Sequence, residues 1–280
     1  MIYDVLIVGG GAAGFFAAIE TTSRNPNLKV VIVEKTSQLL AKVRISGGGR
    51  CNVTHHCFEP TPLSKYYPRG QQALKQLFRK FQASDTVAWF SGHGVKLKTE
   101  EDGRMFPITD SSQTVIDCLL KLAQAAGVEI VTGCEVEGLK KMQDTFEISC
   151  RNGKSFTGKK ILIAMGGHPK PDAYQWLEKS GLKVKPPLPS LFTFNDPSKD
   201  FAELMGVAVQ QAEVKIAGTK FSAIGPVLIT HWGLSGPAVI RLSSWAAEYL
   251  HDIHYKFTAL VNWTGDQTEE SDRRSSLQVL

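Results

Sequence analysis

Apolar residues open the chain in blocks rather than in strict alternation. Tyr3-Asp4-Val5-Leu6-Ile7-Val8 is a mostly apolar run of buried parallel-strand length, and Val30-Val31-Ile32-Val33 is a second, β-branched run that Glu34 ends. Between them, Phe15 to Thr22 is helix-compatible. A loop with a short apolar piece is predicted over 35–42. Leu74, Leu77, Phe78 and Phe81 then recur at helical spacing within 71–90, a stripe read as core rather than as a cofactor box. Ser84-Asp85 reads as a cap before Thr86 to Phe90, and Gly92 to Val95 as the start of a short strand region. Ser111 to Ala126 is an amphipathic helix with Val115, Ile116, Leu119, Leu120 and Ala123 on one side, and Gly127 ends it. Val128 to Val131 follows as a parallel strand and Cys134 to Val136 begins another extended piece. Thr145 to Cys150 pairs with Ser155-Phe156 across Asn152-Gly153. Lys160 to Ala164 is a further buried strand, and Asp172 to Ser180 a small helix.

From Lys185 the texture changes. Pro186, Pro187 and Pro189 mark a domain crossing, which predicts domains over 1–187 and 188–280. Short strands follow at Leu191 to Phe194, Val207 to Val209, Val214 to Ile216 and Val227 to Ile229, separated by turn residues as in a small barrel. Thr230 to Pro237 leads into a helix through Leu250, with Pro237 suited to its first turn. Lys256 to Trp263 is one more strand, and Gln267 to Asp272 an acidic first helical turn continued by Arg273 to Leu280. The fold class is α/β.

Composition changes this picture little. A chain of 280 residues with 42% hydrophobic residues has room for one large or two modest domains. No run of about 20 apolar residues suggests a membrane span, and the apolar N-terminus lacks the basic region of a signal peptide. The net charge of +5 is mild. Lys65 to Lys80 gathers several cations, Arg69, Lys75, Arg79 and Lys80 among them, but no nucleic-acid motif accompanies them, so the segment reads as a solvated helix face. Five cysteines without a C-x-x-C pair indicate neither a metal site nor a dithiol couple and fit reduced thiols in a soluble, cytoplasmic protein.

Candidate chemistry begins at the first turn. Gly9-Gly10-Gly11-Ala12-Ala13-Gly14 fits G-x-G-x-x-G, directly after a strand and before a helix. Gly9 permits the tight turn, Gly11 lets a pyrophosphate approach the backbone, and Gly14 lets helix and strand pack closely. The helix N-terminus adds free N–H groups and a positive dipole end. Glu34, 20 residues beyond Gly14, can accept from both ribose hydroxyls and would repel a 2′-phosphate. Ser46-Gly47-Gly48-Gly49-Arg50-Cys51-Asn52 is the second candidate. Three consecutive glycines are entropically expensive and suggest backbone lying against something flat or anionic, with Arg50 as a permanent charge beside it; a flexible surface loop is the plainer alternative.

Ile45 to Thr54, following the glycine turn and Glu34-Lys35, resembles the BaiN/RdsA family of bacterial flavoproteins, NAD(P)/FAD-dependent oxidoreductases that include aminoacetone-oxidase-type enzymes. Gly103-Arg104-Met105-Phe106-Pro107 resembles that family's G-R-x-F-P signature, expected near the flavin ring, although a hairpin turn explains it equally well. Thr230 to Pro237 resembles its T-H-x-G-x-S-G-P signature. The resemblance implies a Rossmann-like, glutathione-reductase-like FAD-binding domain carrying an inserted small β-barrel/helical domain. On that resemblance the insert is expected to be incomplete here and the return segment that covers the cofactor to be missing, so the chain alone is expected to hold FAD weakly. The cofactor-facing set it implies is Gly9, Gly10, Gly11, Ala12, Ala13, Gly14, Glu34, Lys35, Lys42, Ser46, Gly47, Gly48, Gly49, Arg50, Cys51, Asn52, Val136, Ala164, Gly166 and Gly167. Val136 would offer its backbone to adenine. Met165 replaces the usual Thr of an A-T-G-G turn, so a hydroxyl contact is lost there. Arg50 would stabilise negative charge on reduced flavin, and Arg104, His231 and Ser235 are substrate-side candidates, His231 being as readily structural.

The implied reaction is hydride transfer through flavin N5 to or from a small organic carbonyl, enone or amine. NAD(P)H is then a transient donor that must bind without a second Rossmann motif. An NAD-binding dehydrogenase and a non-catalytic dinucleotide-binding module, or an inactive remnant, are the alternatives. No metal, nucleic-acid or membrane partner is expected, and the oligomeric state is open.

Overall fold

The computed structural model describes residues 1–264. The helix expected over 267–280 lies outside them. Two units divide the chain, Met1–Lys185 and Pro186–Leu280.

In the first unit, β1 (Ile2–Val8), α1 (Ala12–Arg24) and β2 (Val30–Val33) come in the expected order. Then follow α2 (Ala41–Ile45), a 3-10 turn (Ser46–Gly49), β3 (Thr54–His55), α3 (Pro60–Ser64), α4 (Gln71–Phe78), α5 (Ala83–Gly92), β4 (Leu97–Thr99), β5 (Arg104–Pro107) and α6 (Ser112–Ala125). The unit closes with β6 (Glu129–Val131), β7 (Val136–Lys141), β8 (Phe146–Cys150), β9 (Ser155–Ile163) and, after a 3-10 turn, α7 (Gln175–Lys179). The main sheet has the order β6-β2-β1-β9-β8-β7. Its three pairings among β6, β2, β1 and β9 are parallel, and β7, β8 and β9 form an antiparallel meander at the other side.

The blocky apolar pattern of β1 has a direct cause. Alternate side chains enter two different cores, so both faces demand apolar residues. Ile7 packs with Phe15, Ile19, Ile32, Val115, Ile116 and Leu119 beneath α1 and α6. Leu6 and Val8 point the opposite way, to Val31, Val33, Cys134, Ile148, Trp176 and Leu177. Ser111 caps α6 by accepting from the Gln113 N–H, and Gly127 (φ 66°) follows its end.

The second unit contains β10 (Phe194–Asn195), β11 (Ala208–Ile216), β12 (Ser222–Thr230), β13 (Gly233–Ser235), α8 (Pro237–Trp245), α9 (Ala247–Asp252) and β14 (Ala259–Asn262). The expected small barrel takes the form of a curled open sheet, ordered β10-β13-β12-β11-β14, whose core of Val214, Ile216, Val227, Leu234, Val239, Leu242 and Leu250 joins sheet to helices.

Several expectations change. The strands read at 207–209 and 214–216 are one strand, β11, whose register shifts between Val209 and Ala212; Gln210-Gln211 fall on that irregularity and hid the continuity. The strand read at 191–194 is confined to Phe194–Asn195, and the helix through Leu250 divides at Ala246. The first turn of α5 is closed by Gln82 N–H donating to Asp85 Oδ2 (2.8 Å), so the cap lies two residues before Ser84. Gly92 ends that helix rather than opening a strand. The stripe on α4 is not core: α4 contains no buried residue, and Leu77 is 58% exposed. The strand expected over Lys160 to Ala164 is the end of the long β9, which stops at Ile163, and Lys160 and Leu162 are exposed there. Helix α2 takes in the last two residues of the loop expected over 35–42 and runs on to Ile45; its five residues carry too little periodicity to be read.

Candidate functional site

The glycine turn is packed on three sides and open on one. A methyl group on Gly9 (φ 116°) would lie 2.5 Å from the Ala164 carbonyl oxygen, and one on Gly14 would lie 2.0 Å from the Gly9 carbonyl oxygen. These two glycines therefore let β9 and α1 close on the turn. At Gly10 the neighbours are Leu39 and Glu34. Gly11 has nothing within 4 Å of its would-be methyl group. It is the N-cap of α1 and offers no side-chain cap to the first-turn N–H groups, and that turn carries no acidic residue. An uncapped, unopposed helix N-terminus faces open space there, the requirement for an anion.

Glu34 is drawn to the same turn. Gly10 N–H donates to Glu34 Oε2 at 2.8 Å, and Thr36 N–H and Oγ1 each donate to Oε1 at 3.0 Å. Leu40 N–H donates to the Gly10 carbonyl at 2.9 Å, tying the entrance of α2 to the turn. From α2, Lys42 Nζ donates to the Gly167 carbonyl at 2.8 Å. Ala164 N–H in turn donates to Val8 O at 2.8 Å, and Gly166 takes φ 70°. The turns at 9–14, 34–42 and 164–167 thus meet.

The Ser46 to Asn52 segment is built on the β4–β5 hairpin. Gly47 and Gly48 take left-handed conformations, as does Cys51 (φ 64°). A methyl group on Gly47 would meet the Phe106 ring at 2.7 Å, whereas Gly48 and Gly49 face open space. The Arg50 guanidinium stacks 4.0 Å from the Phe106 ring centre. It is paired with Glu100 Oε1 at 2.5 Å and Asp110 Oδ1 at 3.6 Å. Arg104 lies 5.4 Å from the same ring and pairs with Asp102 (2.6 Å) and Glu100 (3.5 Å). Lys98 completes the network on Asp110. Its hydrogen bond holds Asp110 below the usual carboxylate range, helped by Arg50; the Arg104 backbone N–H does the same for Asp102. The Glu100 hydrogen bond raises the Arg50 pKa further. Burial pushes the Cys51 thiol up against a Ser46 hydrogen bond that lowers it.

Six residues of the expected cofactor set, Ala12, Ala13, Lys42, Ser46, Cys51 and Asn52, line one cavity of about 420 Å³. Its far wall is apolar: Phe16, Phe81, Trp89, Phe90, Val115 and Leu119. Phe16 stands 5.1 Å from Trp89 and 5.4 Å from Phe81, ring centre to ring centre. The aromatic wall was not read from the sequence, because Phe81 fell in a stripe taken for core. Glu100 and Asp110 left no signal, since an ion pair to a residue 50 or more positions away has no local pattern.

Other expected residues do not line this cavity. Val136 begins β7 opposite Cys150, with its side chain in the core on the other face of the sheet, and Lys35 is exposed beyond β2. His231 and Ser235 belong to the second unit. His231 is exposed with its ring 4.3 Å from that of Trp232, and Ser235 pairs with Leu228 across β12 and β13.

A strand, a glycine turn, a helix N-terminus and an acid at the end of the second parallel strand define a Rossmann-type nucleotide-binding fold. The chain belongs to the family described as HI0933-like protein Rossmann domain, which it matches over residues 3–255. It is 30% identical over 252 residues to a ribosomal RNA dihydrouridine synthase of Escherichia coli (strain K12), covering 87% of this chain and 61% of that protein. It is 26% identical over 254 residues to a 3-dehydro-bile acid delta(4,6)-reductase of Clostridium scindens, covering 88% of this chain and again 61% of the relative. The chain therefore spans about three fifths of the length of these relatives. Among solved structures, the open conformation of a flavocytochrome c3 fumarate reductase shares the fold at a TM-score of 0.52 and 16% identity, over 75% of this chain and 47% of the other. The resemblance read from Ile45 to Thr54 is borne out at the level of the family, and the family matches are to oxidoreductase enzymes. Among the described residues, no helix is long and apolar enough to cross a membrane.

Proposed function

We propose that this chain is the FAD-binding part of a flavin-dependent oxidoreductase. The observation that carries the reading is the opening at Gly11: an uncapped α1 N-terminus with nothing within 4 Å of the Gly11 position, beside a carboxylate already fixed on Gly10. The donor set suits an adenosine diphosphate, with backbone N–H groups for the pyrophosphate and Glu34 for the ribose hydroxyls. The adjoining aromatic-walled cavity suits a large planar ring, which favours FAD over NAD as the bound dinucleotide. Lys42, Ser46 and Asn52 would line the passage between the two, with Gly166 and Gly167 closing over the turn.

When bound, the flavin supplies hydride transfer at its N5 atom. The chain's own residues orient and shield it. Arg50 keeps a fixed positive charge at the end of the glycine segment, held in place by Glu100, Asp110 and the Phe106 ring. Arg104 lies on the same ring and is the neighbouring substrate-side candidate; His231 and Ser235 of the second unit are the others. NAD(P)H is the proposed donor. The substrate class is a carbon–carbon double bond conjugated to a carbonyl. Both relatives' names describe saturation of such a bond, in a uracil ring and in a bile-acid enone.

The test is reconstitution with FAD followed by anaerobic addition of NADH or NADPH. A visible flavin spectrum that bleaches with the nicotinamide, and is restored by an enone steroid or a uridine-containing RNA, is the expected result. Absence of FAD binding by the full-length protein, with NAD bound instead, would overturn it.

A further inference from the structure

Between Pro60 and Ser84 the chain carries five cations, Lys65, Arg69, Lys75, Arg79 and Lys80, and no Asp or Glu. Glu59 and Asp85 bound the stretch. It contains α3 and α4; Lys75 is the cation that lies within a helix, on the eight-residue α4, which has no buried residue, and Lys65, Arg69, Arg79 and Lys80 are exposed on the flanking segments. So short a helix is not stable on propensity alone. Ring contacts hold it: Phe78 to Tyr67 at 5.5 Å and Phe81 to Phe16 at 5.4 Å.

Aromatic faces accompany the cations. Tyr66 is 61% exposed and Tyr67 41%. Tyr66 stands 4.6 Å from His55 on β3, and the exposed His56 stands 4.5 Å from Phe58. A merely solvated helix face does not need outward tyrosines. A protein-binding patch would be depleted of lysine. A single strand of nucleic acid matches both features, since phosphates neutralise the cations and unstacked bases lie on rings.

We propose that residues 55–80 form a binding surface for single-stranded nucleic acid. This departs from the solvated face expected from the sequence. It stands independently of the flavin reading, because none of its residues belongs to the cofactor set and the test needs no FAD. Fluorescence anisotropy with a labelled single-stranded RNA of about 15 nucleotides, alongside its DNA equivalent and its duplex, provides the test. A single strand binds, and log affinity falls with log salt by about 0.7 per phosphate contacted. Arg79→Gln with Lys80→Gln lowers that slope and weakens binding by about ten-fold or more. Tyr66→Ala weakens single-strand binding by about ten-fold but leaves duplex binding unchanged. Lys65→Gln and Tyr67→Ala serve as the parallel pair should either variant lose its circular-dichroism melt. No binding at low salt, or binding that all these variants leave intact, overturns the proposal. So does polyglutamate bound as tightly as RNA, or wild-type dimerisation abolished by Leu77→Glu, which would give the surface to an acidic protein or to a second copy.

Discussion

Gly11 and Gly14 are three positions apart and opposite in what a methyl group would meet. Gly14→Ala forces a carbon to 2.0 Å from the Gly9 carbonyl oxygen, so backbone must move. Its expected cost is about 1–3 kcal/mol, read as a lowered melting temperature. Gly11→Ala meets nothing and loses only the preference of glycine over alanine at an N-cap, at most about 1 kcal/mol. Yet it should weaken FAD by about ten-fold or more, about 1.4 kcal/mol, measured by flavin titration. A Gly11→Ala protein that binds FAD normally would remove the pyrophosphate from this turn. The packing role of Gly14 was legible because it depends on a local motif. The Arg50 partners were not, because a charge pair forms only after the fold has joined distant segments. The cysteines make a further residue-scale prediction. Burial, and then the neighbouring Cys134, push the Cys150 thiol up to about 11. Cys51, Cys118 and Cys134 are buried as well, leaving Cys57 the most accessible. Iodoacetamide should label Cys57 first in the native protein, with mass spectrometry reading the order.

At the scale of elements, the glycine segment and the β4–β5 hairpin behave as one piece. Gly47 rests on Phe106, and the Arg50 clamp closes over both. Glu100→Gln should therefore raise hydrogen exchange over residues 46–52 and weaken FAD, while leaving exchange in α6 unchanged. The pH dependence has a defined sign. Asp110 and Asp102 have folded pKa values below the ordinary one, so their contribution is full above the unfolded value of about 3.9 and is lost as pH falls through the folded value. Exchange over 46–52, corrected for the intrinsic pH dependence of amide exchange, should stay flat from neutrality to about pH 5 and rise only in stronger acid. A rise near pH 6.5, about where histidine titrates, would mean that another group holds the loop. Element legibility followed length and periodicity. The first strand–helix–strand, α6 and the β8–β9 hairpin carry long or motif-marked patterns. α2 has five residues, and β11 hides its continuity behind a bulge. The α4 stripe had helical spacing and was a helix, but periodicity does not say what covers a face.

The whole molecule divides where its composition shifts. The first unit has two cores on either face of its sheet, and the second has its own, so each contains the apolar contacts a separate cooperative unit needs. Residues 182–190 between them have no regular structure and include three prolines, a feature readable in the sequence because proline lacks the N–H that would carry a helix or strand across. The domain organisation proposed here predicts a particular pattern of limited trypsin digestion. Lys183 is exposed in that stretch, whereas Lys185 precedes Pro186, a bond trypsin cuts poorly. Early cleavage should therefore fall at Lys183 and leave two fragments, one ending at Lys183 and one beginning at Val184, identified by intact mass. Added FAD should slow later cuts in the first fragment, above all at Lys42 and Arg50, and should leave the second unaffected. First cleavage inside β1 to β9, or loss of both fragments at the same rate, would show that the chain unfolds as one cooperative body. Protection by FAD confined to the second fragment would instead move the cofactor away from the glycine turn.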